Sequence, residues 1–207
     1  DWTYSQFHKI DWVVFHSITN KKASFPNHLF VIKWLNHILP LQARQHRMHL
    51  SPSAACPSTC GSLREDELHL LRCPHPDRCA LYPALVTKLQ QIFQHHHVDP
   101  WLRQLLLSGI AAVHPATPCN LTALTPPYRA LANKQARLGP HALFYGFFHR
   151  DWITLQEAYL RSQQKPTERN QSCHAIELLA MHFQATARAQ WDLRNHHLHK
   201  GQDTHQP

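Results

Sequence analysis

Apolar residues recur at steps of three and four along most of this chain, which is the spacing of helices with one buried face. Residues 5–19 and 28–39 both show the pattern, and Pro40 ends the second helix because the residue before a proline disfavours helical backbone. Further helices are predicted over residues 77–95, 100–113 and 127–138. Polar and apolar residues never alternate over a useful length, so we expect no β-sheet.

The longest apolar patterns cover residues 140–164 and 172–198, on either side of a break at Lys165-Pro166. In the second, one stripe recurs along the helix: Ile176, Leu179, Phe183, Ala187 and Trp191. Two helices with a short polar connection predict a helical hairpin. The aromatic row before it belongs to the core at this spacing, although such rings could also stack on bases: Phe144, Phe147, Phe148 and Trp152.

Between these helical regions, residues 56–73 follow the pattern C-x3-C-x8-H-x3-C. Cys56 and Cys60 form one pair, and His69 and Cys73 form a second pair on a short predicted helix that places both side chains on one side. Gly61 gives the intervening turn conformational freedom. Two such pairs joined by a turn are typical of a tetrahedral Zn²⁺ site, and the alternative is a set of unliganded core thiols.

A closed Cys3His set has no open position for water, so this zinc is expected to be structural. His75 and Cys79 lie near enough in sequence to replace a ligand, whereas Cys119 and Cys173 have no partner spacing and are interpreted as ordinary thiols. Two histidine runs are further candidate metal ligands, but runs at chain breaks are more typical of solvated loops and helix ends: His95-His96-His97 and His196-His197-Leu198-His199.

The sequence thus predicts an all-α fold, a helical bundle with a long C-terminal helical hairpin and one small zinc-stapled segment. We divide the chain into N-terminal helices (1–40), a zinc-binding segment (41–80) and a helical bundle with the hairpin (81–207), within one continuous domain.

The net charge of the chain indicates a class of binding partner. Lysine and arginine outnumber aspartate and glutamate by 21 to 13, for a net charge of +8 with the 20 histidines neutral. A basic surface favours nucleic acid or another polyanion, and the alternative is a soluble protein that is merely basic. Five arginines around the zinc segment are candidate phosphate contacts: Arg44, Arg47, Arg64, Arg72 and Arg78. The basic end of the last helix either contacts phosphate or complements the helix dipole: Arg188, Arg194, His196, His197, His199 and Lys200.

Several function classes find no support in the sequence. No apolar run is long enough to span a membrane, and no signal peptide opens the chain. Six cysteines are too few for a disulfide scaffold, so an intracellular, nuclear or cytoplasmic protein is expected. Hydrolase and phosphate-loop motifs are absent, as is an Asp-Asp pair. Pro76-Asp77 could begin a nuclease motif, but no Asp/Glu-x-Lys follows it.

The order of several motifs resembles a known family. The residues are Ile10-Asp11-Trp12, Lys33-Trp34-Leu35-Asn36, the segment from Cys56-Pro57 through Glu67 and His69-Leu70-Leu71 to Cys73-Pro74, and Trp191-Asp-Leu-Arg194-Asn195 with His199. This looks like the region downstream of the polymerase domain in reverse-transcriptase-like proteins of non-LTR retrotransposons of diatoms and related protists. The resemblance runs from Ile10 to His199, except over residues 95–140. This chain has C-x3-C where the family has C-x2-C.

The resemblance implies a nucleic-acid-binding accessory region of a retroelement polyprotein, with Cys56, Cys60, His69 and Cys73 as zinc ligands. The polymerase carboxylates would then lie upstream, in a longer reading frame. We expect no catalytic activity and no small-molecule substrate, and RNA or DNA as the partner. Two alternatives stay open: a helical interaction domain whose zinc only stabilises the fold, and a degraded nuclease that uses Asp77.

Overall fold

The computed structural model describes residues 4–20, 25–117, 124–139, 141–164 and 169–200. Within these ranges the backbone forms helices joined by turns and no strand, with one isolated bridge between Ile10 and His149, so the predicted all-α class is confirmed. In chain order the helices are α1 (Tyr4–Phe7), α2 (Trp12–Asn20), α3 (Phe25–Leu35), α4 (Gln42–Arg47), α5 (Glu67–Arg72), α6 (Pro76–Cys79), α7 (Leu81–His95), α8 (Pro100–Ala111), α9 (Pro126–Ala136), α10 (Ala142–Tyr145), α11 (Asp151–Ser162) and α12 (Arg169–His199).

The long helix α12 organises the whole fold. It contacts α11, as the predicted hairpin requires, and also α2, α5, α6, α7 and α10. The inward stripe is almost completely buried along the first two thirds of the helix: Ala175, Ile176, Leu179, Ala180, Phe183 and Ala187. The predicted break at Lys165-Pro166 lies outside the described residues. The sequence predicts α12 as one arm of a hairpin, whereas in the structure six other helices pack on it.

Three predicted helices are interrupted, two of them at a local capping residue. The helix predicted over residues 140–164 stops at Gly146, whose φ of 81° gives α10 a left-handed C-cap, and α11 starts five residues later. The helix predicted over residues 5–19 splits before α2, because Asp11 accepts the N–H groups of Val13 and Val14 at 3.1 Å each and starts a new helix. The segment predicted over residues 77–95 divides into α6 and α7.

One continuous core joins most of these elements. The buried apolar cluster runs from Ile10 in the loop before α2 to Ala187 in α12, and it includes Leu70 and Leu71 of α5. The predicted aromatic row is part of it, since Phe144, Phe147, Phe148 and Trp152 are all buried. The segment with the cysteine pattern therefore attaches to the main core through α5.

Candidate metal centre

The loop that carries the first cysteine pair is closed by its own backbone. The Cys56 N–H donates to the Ser62 carbonyl at 3.0 Å, and the Glu65 N–H donates to the Ala54 carbonyl at 2.8 Å. The loop turns through Thr59 and Gly61, which have positive φ values of 52° and 82°. The freedom expected of Gly61 is thus used, and the turn brings Cys60 back beside Cys56.

The second ligand pair is positioned by α5. Asp66 caps this helix by accepting the His69 N–H on its Oδ1 at 2.9 Å. Because His69 and Cys73 are four residues apart, their side chains leave the helix on the same side. Leu70 and Leu71 lie between them in sequence and are fully buried, which fixes the helix against the core.

The four predicted ligands come together at one point. Cys56 Sγ lies 3.9 Å from Cys73 Sγ, and Cys60 Sγ lies 3.4 Å from His69 Nε2. One ligand atom from each of the four side chains lies within 4.8 Å of all the others. Cys56 and Cys73 are buried, whereas Cys60 and His69 are half-buried. This group of donors can hold a metal ion.

The two buried thiols have opposite pKa shifts. The hydrogen bond with Cys73, together with burial, raises the pKa of Cys56 to about 11. The same hydrogen bond lowers the pKa of Cys73, and the nearby Arg78 guanidinium lowers it further. Of the two thiols, Cys73 is therefore the one that ionises first.

The other candidate sulfur ligands lie elsewhere. Cys79 Sγ donates to the Cys73 carbonyl at 3.5 Å and stays outside the cluster of four donors. Cys173 Sγ donates to Glu177 on α12 at 3.5 Å. Cys119 lies outside the described residues. Neither Cys79 nor His75 replaces a ligand in this arrangement.

The predicted phosphate contact of Arg78 is wrong, because its side chain has no exposed surface. Its guanidinium donates to Gln190 Oε1 at 2.9 Å, to the Leu70 carbonyl, to Ser58 Oγ at 3.5 Å and to Cys56 Sγ at 3.9 Å. Arg78 is thus a buried cation beside the thiols, where it stabilises negative charge on sulfur.

Three of the predicted arginines line one cleft. Arg44 and Arg47 of α4 and Arg64 of the cysteine loop face a cavity of about 750 Å³ between α4, α5 and the end of α3. Arg72 is exposed but lies outside the lining of this cleft. Acidic groups are present as well, since Arg64 Nε lies 3.4 Å from Asp66 and Glu67 pairs with His37.

A buried ion pair, which the sequence did not reveal, lies beneath the same cleft. Arg194 of α12 donates from Nε to both carboxylate oxygens of Glu65 at 3.0 and 3.1 Å, and from Nη2 to Oε2 at 2.8 Å. Glu65 also accepts the Gln42 N–H, and Arg194 also donates to the Pro40 carbonyl. Since Arg194 is 1% exposed, it is not part of a basic surface at the end of the last helix.

Comparisons with other proteins found no relative of this chain. The chain matches no protein-family model, no curated protein and no solved structure. Across the residues that the structure describes, every helix is too short or too polar to cross a bilayer.

Proposed function

We propose that this chain is a zinc-organised nucleic-acid-binding module, a non-catalytic accessory region of a retroelement reverse-transcriptase-like polyprotein. The observation that carries the proposal is the arginine-lined cleft beside the four-donor cluster. The motif order from Ile10 to His199 supports the retroelement context.

The donor geometry supports zinc as the ion. At Zn–S distances of about 2.3 Å and Zn–N distances of about 2.0–2.1 Å, tetrahedral geometry separates two sulfurs by about 3.8 Å and a sulfur from a nitrogen by about 3.5 Å. The corresponding separations here are 3.9 Å for Cys56 and Cys73 and 3.4 Å for Cys60 and His69. Three thiolates around Zn²⁺ leave one negative charge, which the buried Arg78 guanidinium balances.

The ion would also set the shape of the basic cleft. Glu65, which ends the cysteine loop, accepts the Gln42 N–H on its carboxylate at 2.9 Å and the Ala43 N–H on its carbonyl at 3.1 Å. These two bonds hold the start of α4 against the loop. Arg44 and Arg47 on α4 and Arg64 on the loop therefore keep fixed relative positions, as phosphate binding requires.

The test is a salt titration of nucleic-acid binding by zinc-loaded protein, with fluorescent single-stranded RNA and duplex DNA. Arg47→Gln/Arg64→Gln removes two charges from the cleft, and Lys88→Gln/Arg161→Gln removes two exposed charges elsewhere. The cleft variant should make the slope of log affinity against log salt shallower by about 2, whereas the control should leave it unchanged. Equal effects of both variants, or no binding at low salt, would refute the proposal.

A specific observation favours the alternative, a structural domain whose zinc only stabilises the fold. Buried contacts join the metal segment to α12, since Arg78 bonds Gln190 and Glu65 bonds Arg194. Asp66 and Glu67 also place negative charge in the cleft. This alternative predicts zinc binding without measurable affinity for either nucleic acid at about physiological salt.

A further inference from the structure

A second group of metal-binding side chains lies next to the first. His75 is the N-cap residue of α6, Asp77 is in the first turn of α6, and His197 is in the last turn of α12. One ligand atom from each residue lies within 4.8 Å of the others. The cysteine cluster and this one are the two such groups among the residues that the structure describes.

The distances suit one shared ion. His197 Nε2 lies 3.3 Å from Asp77 Oδ2, and His75 Nδ1 lies 3.8 Å from the same oxygen. A tetrahedral ion with metal–ligand distances of about 2.1 Å separates its ligand atoms by about 3.4 Å. The two imidazole rings lie against each other, with centroids 4.4 Å apart. Small movements of the exposed Asp77 side chain and the partly exposed His75 ring would bring all three donors onto one ion.

The ring of His197 is already oriented for this role. Its Nδ1 lies 2.9 Å from the hydroxyl of Ser58, which is 1% exposed. A histidine that binds a metal through one nitrogen usually donates from the other nitrogen to a fixed oxygen, which sets the tautomer and the ring plane. Ser58 provides that oxygen and leaves Nε2 directed at Asp77.

We propose that His75, Asp77 and His197 bind a second divalent transition-metal ion, with water in the remaining coordination positions. Imidazole and carboxylate donors suit Zn²⁺, Ni²⁺ and Cu²⁺. The Asp77 side chain is 62% exposed and the His75 side chain 23%, so solvent reaches the ion from the side of Asp77. The Asp77 N–H now donates to His75 Nδ1 at 3.3 Å, and the metal would replace it as the partner of that lone pair.

The two metal sites would be neighbours. Ser58 lies between the ligands Cys56 and Cys60 in sequence, and its hydroxyl contacts both Arg78 and His197. The second ion would therefore join the end of α12 to the start of α6, beside the cysteine loop that carries Ser58. This placement distinguishes His197 from the adjacent His196, which is not in the cluster.

Cobalt titration of the metal-free protein tests the proposal, because Co²⁺ bound to thiolates gives intense charge-transfer bands and Co²⁺ bound to nitrogen and oxygen does not. Equilibrium dialysis of the wild type should give two equivalents, of which the charge-transfer bands report one. Asp77→Ala and His197→Gln should each reduce the stoichiometry to one and keep those bands. His196→Ala should retain both equivalents.

Two results would overturn the proposal. One is a single equivalent in the wild type. The other is a second equivalent that survives both Asp77→Ala and His197→Gln, since it would then come from other histidines. If His197→Gln disturbs the thiolate bands, the result for Asp77→Ala alone decides, because the Asp77 side chain is 62% exposed and is not one of the four cysteine-site donors.

Discussion

The buried pair between Glu65 and Arg194 offers the sharpest test of how the metal segment is attached. Glu65 is 0% exposed and Arg194 is 1% exposed, and three charge-assisted hydrogen bonds of 2.8–3.1 Å join them. Glu65→Gln keeps the shape but leaves the guanidinium charge buried without its partner. Such a change lowers the free energy of unfolding by about 3–5 kcal/mol.

The assay is urea unfolding of zinc-loaded protein, followed by tryptophan fluorescence and circular dichroism. For an m-value of about 2–3 kcal/mol/M, the loss corresponds to a midpoint lower by about 1–2.5 M. Arg194→Met should have a similar effect. The double variant should lose less than the sum of the two single losses, since it leaves no unpaired charge.

The matched control is another ion pair of α12. Arg188 Nε donates to Asp192 at 2.8 Å, but the Asp192 side chain is 53% exposed. Asp192→Asn should therefore change the free energy of unfolding by only about 0.3–0.5 kcal/mol. A loss below about 1 kcal/mol for Glu65→Gln, or strict additivity in the double variant, would show that the reasoning about burial is incorrect.

The other predictions concern the metal and pH. Arg78→Met should weaken metal affinity about 10–100-fold in competition with a chromophoric chelator, because it removes a cation beside the thiolates, whereas exposed Arg72→Met should not. An unchanged affinity for Arg78→Met would contradict this role. Stability should fall as pH drops below about 6.5, since burial lowers the folded-state pKa of His149 and His182, and the unfolded chain then binds more protons. His149→Asn should make the dependence of the urea midpoint on pH shallower; an unchanged dependence would argue against this cause.

The ligand cluster could be predicted because its geometry is local. Cys56 and Cys60 share one loop, and His69 and Cys73 share one helix, so their spacing already fixes most of the arrangement. The helix breaks also had local signals that the apolar spacing masked. Asp11 is a good N-cap residue and Gly146 a good C-cap residue, but both interrupt patterns that otherwise continue.

The environment of the cluster could not be predicted, because it depends on contacts between distant parts of the chain. Arg78 meets Gln190 across 112 positions, and Glu65 meets Arg194 across 129. Apolar periodicity identifies the buried face of α12 but gives no reason to place Gln190 and Arg194 on that face. Arginine near a metal segment suggests a surface role, and only the fold shows which arginine side chains are buried.

The central position of α12 has a consequence for biosynthesis. Every helix that packs on α12 precedes it in the chain, so those helices emerge from the ribosome before their common partner exists. At about 5–20 residues per second, the first helices wait about 10–30 s for it. During that interval their apolar faces are exposed to chaperones and proteases, and the cysteine loop is translated before Arg78, Gln190 and Arg194 can enclose it. Packing of this core is therefore completed only after α12 has been synthesised.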